Sequence, residues 1–169
     1  TLTLTGANSY TGATTISAGA LQVGDGGATG ALGSGAVTNN AALSFNRSND
    51  LTVSGDISGT GTLTKLGAGT LSLTGTNSYT GTTTISAGTL QVGSGSTTGA
   101  LGSGAVTNNA ALSFNRSDSL TVANVISGTG TLTKLGSGAL TLSGASSYTG
   151  ITTISAGTLR LGATGDATN

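Results

Sequence analysis

The side chains that could do chemistry in this 169-residue chain are five Asp, three Tyr, three Arg and two Lys; His, Cys, Met, Trp, Pro and Glu are absent. Paired carboxylates could hydrolyse a glycosidic bond, but the two must sit within reach of one another. Asp25, Asp50, Asp56, Asp118 and Asp166 are not arranged that way. Most of their counterparts in the repeat described below are Ser, Val or Asn, and Asp50 and Asp118 fall about three turns apart in the architecture inferred from it. Without His, Cys or Glu there is no ordinary metal-ligand set, no activated Ser or Cys nucleophile and no imidazole acid or base. The chain reads as a non-enzyme with no catalytic residue, no cofactor and no metal.

The remaining candidates could recognise rather than react. Tyr10, Tyr79 and Tyr148 recur at a constant interval, each in an SYTG tetrapeptide. This regularity predicts one shared edge with rings about 14 Å apart, a possible ligand face for a carbohydrate. The plainer reading tucks each ring over the neighbouring turn and bonds its hydroxyl to the backbone. Arg47 and Arg116, beside Asp50 and Asp118, are expected to form exposed ion pairs of little energetic weight. Lys65 and Lys134, on TLTK segments, are expected to point outward with solvated heads. The GDGGATG segment at 24–30 resembles a calcium-binding solenoid loop, but its second copy, GSGSTTG, carries no carboxylate, so a calcium ladder is excluded. The NRS tripeptides at Asn46–Ser48 and Asn115–Ser117 fit a glycosylation sequon and read as turn asparagines stacked in a ladder.

The elements that position these groups follow from composition and periodicity. There are 31 Gly and 34 Thr, and only 6% of residues are charged, five of each sign. Balanced, scattered charge gives no footprint for nucleic acid, and apolar runs of a few residues allow no membrane insertion by this segment. No initiator Met opens the chain, which reads as a piece of something longer. Leu, Val and Ile alternate with Thr and Ser, which suits a pleated surface rather than a helix.

Residues 1–69 and 70–138 align without a gap at 56 identities, and a partial copy runs from 139 to 169. The whole chain, 1–169, is therefore expected to be one continuous array. Within it a four-residue x-apolar-x-apolar strand recurs, starting at positions 1, 20, 42 and 70, so its steps are 19, 22 and 28. One such unit has no closed core, so units must stack, each turn pairing with the next at roughly 4.8 Å. The expectation is an all-β fold without helices: a right-handed parallel β-helix, or β-solenoid, of about seven turns of 19–28 residues. Leu2, Leu21, Leu43, Leu71, Leu90, Leu112, Leu140 and Leu159 are expected to form one inward core column. The segments LTVSGDISG (51–59) and LTVANVISG (120–128) are read as an added strand in the longest turns, and the Asn pairs 39–40 and 108–109 as sources of positive φ in tight turns.

The run KLGAGTLSLTGTNSYTGTTTISAGTLQVG (65–93) resembles the autotransporter-associated β-strand repeat, or passenger-associated transport repeat, of Gram-negative surface proteins. The order GTGTLTKLGxG, xLxLxG, SYTGxTTISAG, xLxxG occurs twice in full. The resemblance implies a type V secretion passenger at the cell surface, anchored in the outer membrane through a segment outside this chain. It also implies a structural stalk that aids export and folding and displays distal domains, its partners being neighbouring repeats. Two other readings stay open. Unpaired strand edges at both ends would allow end-to-end self-association into an extracellular fibre or biofilm matrix, and a lateral face could make the chain an adhesin for a host glycan or protein.

Overall fold

The computed structural model describes residues 1–162; Asp166 lies outside them. Among the described residues there are nineteen short strands and no helix. Alternation dictates this: in Thr70–Leu73, Leu71 and Leu73 are buried while Thr70 and Ser72 are half-buried, and the same pattern recurs from strand to strand. Every pairing is parallel and in register, so the chain winds into a β-solenoid of about eight coils.

Each coil has three faces. On the first, the inward rungs are Leu2, Leu21, Leu43, Leu63, Thr83, Val106 and Ile126. On the second they are Leu51, Leu71, Leu90, Leu112, Leu132 and Thr152. The third carries Thr14, Val37 and Ile57, then Leu120, Leu140 and Leu159. Its middle coils lack regular strands but stay bonded, through Ser78 N to Ile57 O at 2.8 Å and Ser103 N to Tyr79 O at 2.9 Å.

The structure divides the expected single leucine column among the three faces. Leu2, Leu21 and Leu43 stand on the first, Leu71, Leu90 and Leu112 on the second, and Leu140 and Leu159 on the third. Coil lengths are also corrected. Numbering along the first face advances from rung to rung by 19, 22, 20, 20, 23 and 20, so no coil reaches 28. The longest apparent turn runs from Ala42–Phe45 past Thr62–Lys65, which is the next rung on the same face, to Thr70–Leu73 on another. Leu51–Val53 and Ile57–Ser58 are not an added strand, but the second and third faces of an ordinary coil.

Coils of this length do not divide evenly into the 69-residue copy. One copy fills about three and a third coils, so each residue's counterpart in the next copy sits one face further round. Leu2 is on the first face, Leu71 on the second and Leu140 on the third.

Burial follows from stacking. Leu63, Leu90, Leu112 and Leu132 are wholly buried between neighbours, whereas Leu2 in the first coil is 63% exposed. The Asn pairs do not supply positive φ; among the described residues only glycines do, Gly59 at 99° being one. Gly59 has to be Gly twice over, since a Cβ there would also stand 2.2 Å from Asn39 O. Asn39 instead turns inward, buried, donating through Nδ2 to Thr62 O at 2.9 Å and accepting from Ala41 N at 3.2 Å. Asn108 repeats both bonds with Thr131 and Ala110.

Candidate functional site

The three tyrosines do not share an edge, because the one-face advance carries each to a different side. In every copy the hydroxyl meets the Thr four residues on, at 2.8 Å: Tyr10 with Thr14, Tyr79 with Thr83 and Tyr148 with Thr152. The rings cover a glycine of the following coil. A Cβ on Gly102 would lie 2.5 Å from the Tyr79 ring, and one on Gly33 would lie 2.4 Å from that of Tyr10. Tyr79, with coils on both sides, is fully buried, whereas Tyr10 in the first coil is 39% exposed. Burial pushes the Tyr79 phenol above its ordinary pKa, opposed by its bonds to Thr83 and the Gly102 backbone.

The lysines overturn expectation more sharply. Lys65 and Lys134 point into the core and are buried. Lys65 stacks in register between Phe45 and Ile85, and Lys134 between Phe114 and Ile154. The Lys65 ammonium reaches a corner and donates to Gly67 O and, at 3.3 Å, to Ala87 O. Lys134 does the same with Gly136 O and, at 3.5 Å, Ala156 O. Carbonyl oxygens crowd this corner: those of Gly67, Ala68 and Gly69 all come within 2.7 Å of a Cβ built on Gly88. Each lysine is thus an internal cation that satisfies main-chain acceptors where the chain bends. Burial lowers both lysine pKa values; Asp50 opposes this at Lys65, and its counterpart beside Lys134 is Ser119. The signal was present in the sequence. TLTK keeps the x-apolar-x-apolar frame of the ALSF strand one coil earlier, with Lys in an inward place.

Arg47 and Arg116 are clamps rather than loose surface pairs. Arg47 donates to Gly30 O at 2.5 Å, Ala28 O at 2.8 Å and Asn49 Oδ1 at 2.7 Å, so its partner is Asn49 and not the expected Asp50. Arg116 holds Gly99 O and Thr97 O, both at 2.6 Å, and forms a salt bridge to Asp118 at 2.7 Å. Bonding to Arg116 lowers the Asp118 pKa. These guanidiniums fasten the protruding loops 24–30 and 93–99, which make their coils, Leu21 to Leu43 and Thr83 to Val106, the two longest on the first face. The other described carboxylates are spent on turns: Asp25 accepts from Gly27 N at 3.1 Å, Asp50 from Thr70 N at 2.8 Å and Asp56 from Thr76 N at 2.6 Å.

Parallel coils held together by internal lysines, tyrosine–glycine contacts and arginine clamps define a β-solenoid repeat protein. Residues 1–23, 63–92 and 132–161 match the passenger-associated-transport-repeat. The chain carries that repeat three times, in stretches that together make up just under half of it. Over 82 residues it is 49% identical to a protein named adhesin BmaC autotransporter, from Brucella suis biovar 1 (strain 1330). That alignment covers 48% of this chain and 2% of the relative, so the chain corresponds to a small fraction of that protein's length. No solved structure matches.

Proposed function

We propose that the chain is a non-enzymatic structural stalk within a surface-exposed autotransporter passenger, helping export and folding and displaying whatever lies beyond it. One observation carries this reading: a coil is buried only by its neighbours, as the contrast between wholly buried Leu63 and 63% exposed Leu2 indicates. Such a stack grows by templated addition, each coil docking on the last, which suits a chain emerging end first through a pore. The array is taken as one unit with right-handed crossovers, anchored to the outer membrane by another segment. The tyrosines and the leucine columns are assigned to packing.

The test is an in-frame deletion of 70–138 in the parent protein on cells, with surface display and attachment scored separately. The junction restores a closely similar local sequence, so the remaining array should still fold. Display is expected to fall. Unchanged display with an equally protease-resistant passenger would sink the export reading.

Adhesion is the second reading, favoured by similarity to a protein named as an adhesin. In the same experiment it predicts intact display with reduced attachment. End-to-end association, through the exposed Leu2 at one end and Ile154 and Leu161 at the other, predicts rods longer than one chain. Strictly monomeric sedimentation would exclude it.

A further inference from the structure

We infer that Asn46 and Asn115 are attachment sites for a neutral N-linked sugar, one in each full 69-residue copy. The inference goes beyond the stalk reading and does not depend on it. Each residue opens an Asn-Arg-Ser sequon, and the two occupy the same place in successive copies. The expected asparagine ladder is not what the structure builds there. Val23, Phe45 and Lys65 are successive rungs of the first face, so the rung neighbours of Asn46 are Gly24 and Leu66. On the second face Val92, Phe114 and Lys134 likewise set Asn115 between Gly93 and Leu135.

The main chain fixes both asparagines alike and leaves their side chains unused. Asn46 N donates to Val23 O and Asn46 O accepts from Gly26 N, both at 2.8 Å; Asn115 makes the same pair with Val92 and Gly95, also at 2.8 Å. Each residue is half-buried, yet neither carboxamide has a hydrogen-bond partner among the described residues. The inward asparagines differ: Asn39, Asn77, Asn108 and Asn124 all donate to main-chain carbonyls. What stands over each free amide is a glycine, Gly26 with φ 99° or Gly95 with φ 91°. A Cβ there would come within 3.9 Å of Asn46 Nδ2 or 3.8 Å of Asn115 Oδ1, so glycine keeps the approach open. Ser48 and Ser117, the hydroxyl residues of the sequons, are exposed. Coils lie on both sides of each site, so neither site owes its opening to an end of the stack.

The surroundings define the sugar class. The adjoining guanidiniums are spent on loop carbonyls and on Asn49 or Asp118, so no free cation waits for an acidic sugar. On the other side lies a leucine, Leu66 half-buried and Leu135 36% exposed, next in sequence to the lysine that takes the inward place. An aliphatic neighbour suits the C–H face of a pyranose ring, which points to a neutral hexose or N-acetylhexosamine. A glycosyltransferase joins the amide Nδ2 to the anomeric carbon of a sugar carried as a glycosyl diphosphate. The bond from that carbon to the diphosphate oxygen breaks, the diphosphate leaves with the electron pair, and a base of the transferase takes the amide proton.

The test is glycopeptide mass spectrometry of the parent protein from the cells that make it, with surface-displayed and retained fractions analysed separately. The peptides bearing Asn46 and Asn115 should each carry a hexose or N-acetylhexosamine increment that survives alkaline β-elimination. Asn46→Gln with Asn115→Gln should lose both increments, and so should Ser48→Ala with Ser117→Ala. The circular dichroism spectrum of the chain should be unchanged in either variant, since neither removes a side-chain hydrogen bond of the stack. Unmodified peptides in both fractions overturn the assignment. So does an increment that persists in the Gln variant, which would place the sugar on a serine or threonine hydroxyl instead. The stalk reading is judged apart: unmodified protein that is still displayed refutes this site alone, and modified protein that never reaches the surface refutes the stalk alone.

Discussion

The same substitution placed in two copies of one sequence should have unequal effects, because position in the stack sets burial. Tyr10 and Tyr79 share the surrounding sequence NSYTG and the same 2.8 Å bond to a threonine hydroxyl. Thr83 is 1% exposed and Tyr79 is fully buried, so Tyr79→Phe leaves the Thr83 hydroxyl without its partner and out of reach of water. A buried hydroxyl stranded in this way costs about 2 kcal/mol. Thr14 is only half-buried and Tyr10 is exposed, so water can replace the lost phenol, and Tyr10→Phe should cost under about 0.5 kcal/mol. Truncation to Ala widens the gap, since the Tyr79 ring leaves a cavity against Gly102 worth about 3–5 kcal/mol. The assay is urea unfolding of each single variant followed by far-UV circular dichroism. Hydrogen exchange alongside it shows whether loss spreads from the central coils or only frays the first. Equal losses for the two Phe variants, or a Tyr79→Phe cost near zero, would refute the argument that neighbouring coils and not local sequence make this core.

Two further predictions concern the cations. Both lysines have lowered pKa values in the folded chain, so over the alkaline range below the ordinary lysine value the unfolded chain binds more protons, and stability should rise with pH. Above the ordinary tyrosine value an opposing contribution sets in, because unfolded tyrosine ionises while buried Tyr79 resists, and it alone remains once pH passes the ordinary lysine value. Unfolding midpoints across this range should pass through an alkaline maximum, and Lys65→Met with Lys134→Met should flatten the rising limb; an unchanged limb in that variant would remove the lysines as its cause. Trypsin should cut first after Arg160, which is exposed, and spare the buried Lys65 and Lys134 until the stack unfolds. Early fragments ending at either lysine would show those strands to be open.

The alternation of Leu and Thr made the stacked strands legible, because side-chain direction in a strand depends only on parity. Register between coils depends on how much chain is spent at corners, and there the strongest sequence signal misled. The identity between copies invites placing Leu71 above Leu2, whereas the ladder places Leu63 and Thr83 in that column. Lys65 completed the error, since a charged residue at an inward place hid the rung that would have fixed the count. Its burial is intelligible only once the carbonyls of Gly67 and Ala87 are seen to converge on it. Tyr79 was hidden for the opposite reason. Its sequence environment matches that of exposed Tyr10, and only the coils on either side distinguish them.

The one-face advance of each copy gives repeat number a second meaning. Adding or removing a 69-residue copy preserves the coil-to-coil ladder and most local contacts, so the array should still fold. Each such step nevertheless swings everything downstream through about a third of a revolution, and three copies, filling about ten coils, restore the original bearing. Slippage between near-identical tandem copies would then act as a compass as well as a ruler, re-aiming whatever the rod carries without altering a residue of it.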